Sequence, residues 1–214
     1  HGLSFDNEIE NIFLSRFPFM DTPDQTKAWS EIREDLSNKN KPMNRLLCGD
    51  VGFGKTEIAI RTSFRVVFNG KQVAILAPTT ILVNQLYSSF KERLVEFGVS
   101  VDVVSRFRTK GDITKIFENI KQGKLDVVVG THSLLSDKLE FSNLGLLIID
   151  EEQRFGVNQK EKIQNIQKNI DVLSMSATPI PRTLHIAISG IRDISTLLSP
   201  PKSRYPINTQ ISYY

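Results

Sequence analysis

Short apolar runs alternate along this chain with longer stretches whose apolar positions fall three or four residues apart. The runs Leu46–Cys48, Gln72–Ala77, Val99–Val104, Asp126–Val129, Leu144–Asp150 and Asp171–Met175 predict strands. The helical spacing predicts helices from Glu57 to about Val67, then over Ile81–Phe97, Asp112–Gln122, about Gln159–Ile166 and Ile180–Ile188. Phe5, Ile9, Ile12 and Phe13 add a short amphipathic helix at the start, which either docks on the domain or leads in from a preceding one, and Phe17-Pro18-Phe19 breaks it. Thr22-Pro23-Asp24-Gln25 reads as a helix start, with Thr22 as cap, Pro23 at the first helical position and Gln25 at the capping-box position, followed by the apolar stripe Ala28, Trp29, Ile32 and Leu36. Strands alternating with helices of this length imply parallel βαβ units, so the predicted fold is α/β: a doubly wound, mostly parallel sheet flanked by helices. No internal repeat or low-complexity segment interrupts the pattern.

Composition narrows this picture without redirecting it. A chain of 214 residues, 40% hydrophobic and 24% charged, can bury one sizeable core. The net charge of +3 permits a nucleic-acid partner without arguing for one. The single cysteine, Cys48, excludes an internal disulfide, fits a reducing cytoplasm and sits where a core residue is expected. No zinc cluster can be assembled, and neither a membrane span nor an export signal is present, so a cytoplasmic protein with no membrane partner is expected. The start at His1-Gly2, without Met, suggests a piece cut from a longer protein or the remnant of a tag.

The chemistry centres on Gly49-Asp50-Val51-Gly52-Phe53-Gly54-Lys55-Thr56, a G-x-x-x-x-G-K-T phosphate loop between a strand and a helix. Its glycines let the backbone turn N–H groups inward around phosphate oxygens at the positive end of the following helix. Lys55 would reach the β- and γ-phosphates, and the Thr56 hydroxyl would ligate magnesium. After the apolar strand come Asp150 and Glu151, the first to hold Mg2+, the second to orient and deprotonate a water attacking a phosphoanhydride; their alternative is to cap the next turn. Gln25, with the upstream aromatic Phe19, can hydrogen-bond and stack on adenine, although Gln25 also has the purely structural role of closing the capping box.

Every candidate segment directly follows a predicted strand, and in a doubly wound sheet ligands sit outside the carboxyl ends of the strands. Pro78-Thr79-Thr80, Arg106, Arg108, Thr131 and His132 are small, hydroxylic or basic groups suited to gripping a sugar-phosphate backbone, with ordinary solvated loops as the alternative. Ser176 and Thr178 could bond the acidic cluster and relay the state of the γ-phosphate, while Glu152 and Gln153 could couple hydrolysis to that segment. The Arg154-Phe155-Gly156 turn is either a coupling loop or a plain helix lead-in, and His132 and His185 have no ligand partners that would suggest a metal.

Taken in order, Phe19 with Thr22–Gln25, Gly49–Thr56, Ala77–Thr80, Gly130–His132, Asp150–Val157 and Ser176–Leu184 resemble the Q motif and motifs I, Ia, Ic, II and III of superfamily 2 helicases and translocases. Within that superfamily the phrases G-D-V-G-F-G-K-T, S-R-F-R, D-E-E-Q-R-F-G-V and S-A-T-P-I-P-R-T-L are most similar to the bacterial transcription-repair coupling factors, the Mfd family. The resemblance implies the first RecA-like lobe of a double-stranded DNA translocase that uses ATP to push stalled RNA polymerase forward and recruits excision-repair proteins, these last two partners meeting other domains of the full-length protein. It assigns Phe19 and Gln25 to adenine, Gly49–Thr56 to phosphates and Mg2+, Lys55, Asp150 and Glu151 to catalysis, and Pro78, Thr79, Thr80, Arg106, Thr131 and His132 to DNA. It also divides the chain into a lead-in helix and linker (1–21), an ATP-binding lobe (22–198) and a linker toward a second lobe (199–214). The RecG fork-reversal translocases are the nearest alternative, but they typically carry serine at the position of Phe53 and a D-E-Q-H acidic motif. No second lobe with its arginine fingers follows Thr196, so little hydrolysis is expected of this chain alone.

Overall fold

The computed structural model describes residues 7–38, 40–177 and 192–201. Seven strands form one sheet: β1 (Asn44–Gly49), β2 (Gln72–Leu76), β3 (Val101–Val104), β4 (Val127–Gly130), β5 (Leu144–Asp150), β6 (Asp171–Ser176) and β7 (Asp193–Leu197). Their order across the sheet is β3-β4-β2-β5-β6-β1-β7, and every pairing is parallel. Parallel strands must be joined by crossovers, so both faces carry helices and the strands read as nearly continuous apolar runs. All five residues of β2 and all four of β4 are buried.

One face is covered by α1 (Asn7–Ser15), α2 (Pro23–Ser37), α3 (Lys55–Val67) and α4 (Thr80–Leu94), whose Phe13, Ile32, Phe64 and Phe90 pack over Leu47, Ile75, Ile148 and Leu173. On the other face α5 (Lys110–Lys121) and α6 (Val157–Ile166) set Ile116, Ile120 and Ile163 against Leu76, Val128, Leu147 and Ile149. The alternation of Ile148 and Ile149 between the two clusters is the two-residue period of a strand buried on both sides.

The opening helix docks on the lobe. Phe13, fully buried, stacks on Phe64 with ring centroids 3.9 Å apart and meets Phe97 edge-on at 5.1 Å. Burying a ring of this size contributes about 1.5–3 kcal/mol. Glu10, also buried, pairs with Arg65 of α3 at 3.3 Å. The α2 start is as expected: the Thr22 hydroxyl accepts from Gln25 N at 3.2 Å, and the Gln25 side chain accepts from Thr22 N at 2.9 Å.

The pattern does not predict β7. Its only apolar members, Ile194 and Leu197, lie three apart rather than two. What fixes it is long-range: it pairs with β1, and the buried Arg45 of β1 donates to Ser195 of β7 at 2.9 Å and to Asp35 and Glu31 of α2 at 2.6 and 3.2 Å. Replacing such a buried, paired cation is costly because its carboxylates would be left unpaired. The helix expected over Ile180–Ile188 lies outside the described residues.

Candidate functional site

Because all strands run the same way, the segments following them share one edge of the sheet, and the strand order sorts them. The loops after β3, β4 and β2, carrying Arg106, Thr131 with His132, and Pro78 to Thr80, are neighbours on one half of that edge. The loops after β5, β6 and β1, carrying Asp150 with Glu151, Ala177, and the phosphate loop, occupy the other half.

The second half opens into a cavity of about 470 Å³. Gly52, Gly54, Lys55 and Thr56 line it together with Asp150 and Glu151 and with Phe17, Phe19, Met20 and Gln25. The loop's glycines are used as expected: Gly52 and Gly54 take φ of 82° and 91°, conformations that L side chains rarely adopt, and Gly54 precedes the first turn of α3. The Lys55 ammonium lies within the loop, donating to the carbonyl oxygens of Gly49 and Asp50, the latter at 3.0 Å. Burial lowers the lysine's pKa, while the carboxylates of Asp150 and Glu151 act in the opposite direction.

Asp150 ends β5 opposite Met175 of β6. Burial, then the neighbouring charge of Glu151, push its pKa up to about 6. Glu151 has φ of 50°, the one non-glycine with positive φ among the described residues. That strained backbone is held by Glu151 N donating to Met175 O at 3.0 Å, and its side chain is aimed from two sides, accepting from Ala177 N at 3.0 Å and from the Gln153 amide. The acidic cluster therefore meets the end of β6 through a backbone N–H as well as a hydroxyl, since Ser174 donates to Glu152 at 2.7 Å. Glu152 also receives Arg192 at 2.8 Å; burial opposes its ionisation, but Arg192 and Ser174 outweigh that and hold the carboxyl below its usual range. Ser176 is buried at the end of β6, and Thr178 lies outside the described residues.

Gln25, buried, donates through Nε2 to the carbonyl of Phe53 at 2.9 Å. With its oxygen engaged by Thr22, one N–H and one lone pair remain for a ligand, enough for the paired donor and acceptor on an adenine edge. Phe19 is 55% exposed and contacts Phe17 edge-on at 5.5 Å. Phe17 is backed by Arg61, whose guanidinium lies 5.1 Å from its ring and pairs with both oxygens of Asp21 at 2.7 and 2.9 Å. The Phe17-Pro18-Phe19 break signalled this wall; the contributions of Met20, Leu82, Met175 and Pro201 to the cavity had no local signal.

On the other half of the edge, Thr79 caps α4, accepting from Leu82 N at 3.3 Å, and Arg106 is exposed beside the exposed Phe107. Thr131 and His132 begin a short 3-10 turn ending at Leu135, and His132 is exposed. Arg108 is committed to Asp102 at 2.8 Å.

The donor set suits magnesium delivered with a nucleotide. A hydroxyl and a carboxylate face one cavity, the carboxylate carrying charge that burial and Glu151 disfavour. Among the described residues no group of three or more His, Cys, Asp and Glu is placed to hold a metal ion. Nor, among them, is any helix long and apolar enough to cross a membrane.

A family model described as DEAD/DEAH box helicase matches residues 22–186, beginning at the Thr22 cap. The chain belongs to the DEAD/DEAH box helicase family. This helicase-family chain is 49% identical over its full length to the transcription-repair-coupling factor of Bacillus subtilis (strain 168), and covers 18% of that protein. It is 50% identical over 96% of its length to the corresponding factor of Staphylococcus epidermidis (strain ATCC 12228 / FDA PCI 1200), again covering 18%. Among solved structures, RecG bound to a three-way DNA junction superposes with a TM-score of 0.83 at 37% identity, over 96% of this chain and 28% of that one. The resemblance to the coupling factors holds, and the chain is a first motor lobe of superfamily 2 type with the RecA-like fold. It spans less than a fifth of the curated relatives it matches.

Proposed function

We propose that this chain is the ATP-binding lobe of a double-stranded DNA translocase, part of a longer cytoplasmic bacterial protein that couples ATP hydrolysis to displacement of stalled RNA polymerase and to recruitment of excision-repair proteins. The observation that carries the reading is the meeting of the G-K-T loop with Asp150 and Glu151 in one cavity, beside a separate row of strand-end loops on the same sheet edge. The likeness to the coupling factors supplies the biological context.

In this account Phe19 and Gln25 hold adenine, and the N–H groups of Gly49–Thr56 and the Lys55 ammonium hold phosphate oxygens. Thr56 and Asp150 hold Mg2+, which when bound offsets phosphate charge. Glu151 accepts the proton of the attacking water, its carboxylate aimed by Ala177 N and Gln153. Gln153, Ser176 and Thr178 carry the change toward the DNA side. There Pro78, Thr79, Thr80, Arg106, Thr131 and His132 contact the phosphate backbone, which positions the lobe without reading sequence.

Among the described residues lining the cavity, Lys55 is the one cation. In this reading a second protein cation for the transition-state charge on the phosphoryl group comes from a following lobe, and cations of that kind accelerate phosphoryl transfer by about 10³–10⁵. Steady-state ATP hydrolysis tests this: the chain extended through a following lobe should turn over and be stimulated by duplex DNA, with the present chain slower by a factor of about a hundred or more. Equal turnover by the chain alone would contradict a two-lobe motor. The structural likeness to RecG keeps fork reversal as the second reading; full-length protein that reverses forks but leaves stalled polymerase in place would favour it.

A further inference from the structure

The residue before Gln25 makes a contact that none of the roles above uses. Asp24, on the first turn of α2, accepts the backbone N–H groups of both Leu198 and Ser199 on one carboxylate oxygen, at 2.9 and 2.8 Å. These are the first two residues after β7. Two residues further on, Pro201 lines the nucleotide cavity alongside Phe17, Phe19 and Gln25. The strand itself is pressed against the phosphate loop: Leu197 pairs with Gly49, and a Cβ on Gly49 would lie 2.9 Å from the Leu197 Cβ.

We propose that Asp24 is a positioning residue that pins the segment following β7 as a wall of the nucleotide cavity, so that nucleotide binding and the path of the chain beyond β7 are coupled. The proposal rests on the nucleotide reading above. The physical basis is that, among the described residues, β7 is the edge of the sheet, and a carboxylate is a strong acceptor for the pair of N–H groups that follows it. Asp24 and Gln25 are adjacent on one helical turn, so the Gln25 contact to Phe53 and the Asp24 contact to Leu198 and Ser199 are carried by the same stretch of backbone. A ligand that draws the Phe53 carbonyl and Gln25 inward draws the segment leaving β7 with them. Hydrogen bonding from Ser199, its side chain foremost, also holds the Asp24 carboxyl below the usual range, consistent with a carboxylate kept ionised by this contact.

Backbone hydrogen exchange of the 214-residue chain, with and without Mg2+ and ADP, tests the coupling when read together with an ADP binding titration. In the parent chain, ADP should slow exchange at the Leu198 and Ser199 amides, by about threefold or more. Asp24→Ala should abolish that ADP-dependent slowing and weaken ADP binding about three- to tenfold, the net size of one ordinary hydrogen bond. Asp24→Asn, which keeps an acceptor oxygen, should restore part of both. ADP binding with no change in exchange at these amides would overturn the coupling, as would parent-like binding and exchange in both variants. A parent chain that binds no ADP would overturn the nucleotide reading and the coupling together, an outcome visible in the titration itself.

Discussion

The side-chain amide of Gln25 bridges the cap of α2 and the phosphate loop, donating to the carbonyl of Phe53 at 2.9 Å while accepting from Thr22 N at 2.9 Å. One buried group thus closes a helix terminus and sets the height of the loop. Gln25→Ala removes both bonds, taking the side-chain acceptor from Thr22 N and the side-chain donor from Phe53 O. The expected cost is about 1–3 kcal/mol. In a chain of this size that lowers the unfolding midpoint by about 2–4 °C per kcal/mol, readable from the fluorescence of Trp29, the single tryptophan. ADP affinity should fall with it by about tenfold or more. An unchanged midpoint and unchanged affinity would show that the bridge has no role.

Gly54 sits under the same amide. Its φ is 91°, and a Cβ there would lie 2.2 Å from Gln25 Nε2. Gly54→Ala therefore combines backbone strain with a clash, an expected loss of about 2–4 kcal/mol. Gly70 also has positive φ, 72°, but nothing lies within 4 Å of where its Cβ would be, so Gly70→Ala should cost only about 1 kcal/mol. Urea unfolding of the two variants separates the terms. Equal losses would mean that the Gln25 contact imposes no steric constraint.

Far from the cavity, Asp171 at the start of β6 accepts Met43 N at 2.7 Å and is buried. Desolvation raises its pKa above the ordinary 3.8, with the Met43 bond opposing. For an acid shifted upward, stability is greatest while the group is protonated and declines as pH rises from the unfolded pKa through the folded one. Asp171→Asn keeps an acceptor for Met43 N without the charge. It should raise the unfolding midpoint at pH 8, with the gain shrinking as pH falls toward 4. A variant less stable than the parent at pH 8 would mean that the charge is useful, through its attraction to the Lys71 ammonium.

Much of this architecture was legible in the chain because its signals are local. A parallel strand buried on both faces needs a continuous apolar run, as Leu144–Ile149 shows, and a phosphate loop needs glycines where φ is positive, as at Gly52 and Gly54. The Thr22–Gln25 capping box was readable for the same reason. What local pattern does not record is partnership across the fold. β7 is fixed by pairing with β1 and by the Arg45–Ser195 contact, and nothing within Asp193–Leu197 announces either. Likewise Glu152 reads as one more acidic residue after a strand, yet its partners are Ser174 and Arg192, 22 and 40 residues away. Gln25 caps its helix and also holds Phe53 of the phosphate loop, a partner announced by neither of the roles read from the sequence, capping and adenine contact.

Calorimetric titration of the chain with ADP and ATP in the presence of Mg2+ shows whether the cavity between the phosphate loop and Asp150 binds a nucleotide. Saturable binding is expected, with Lys55→Ala weakening it at least about tenfold while Trp29 fluorescence reports an intact fold. Absence of binding by the parent chain, or binding that Lys55→Ala leaves untouched, would contradict the account.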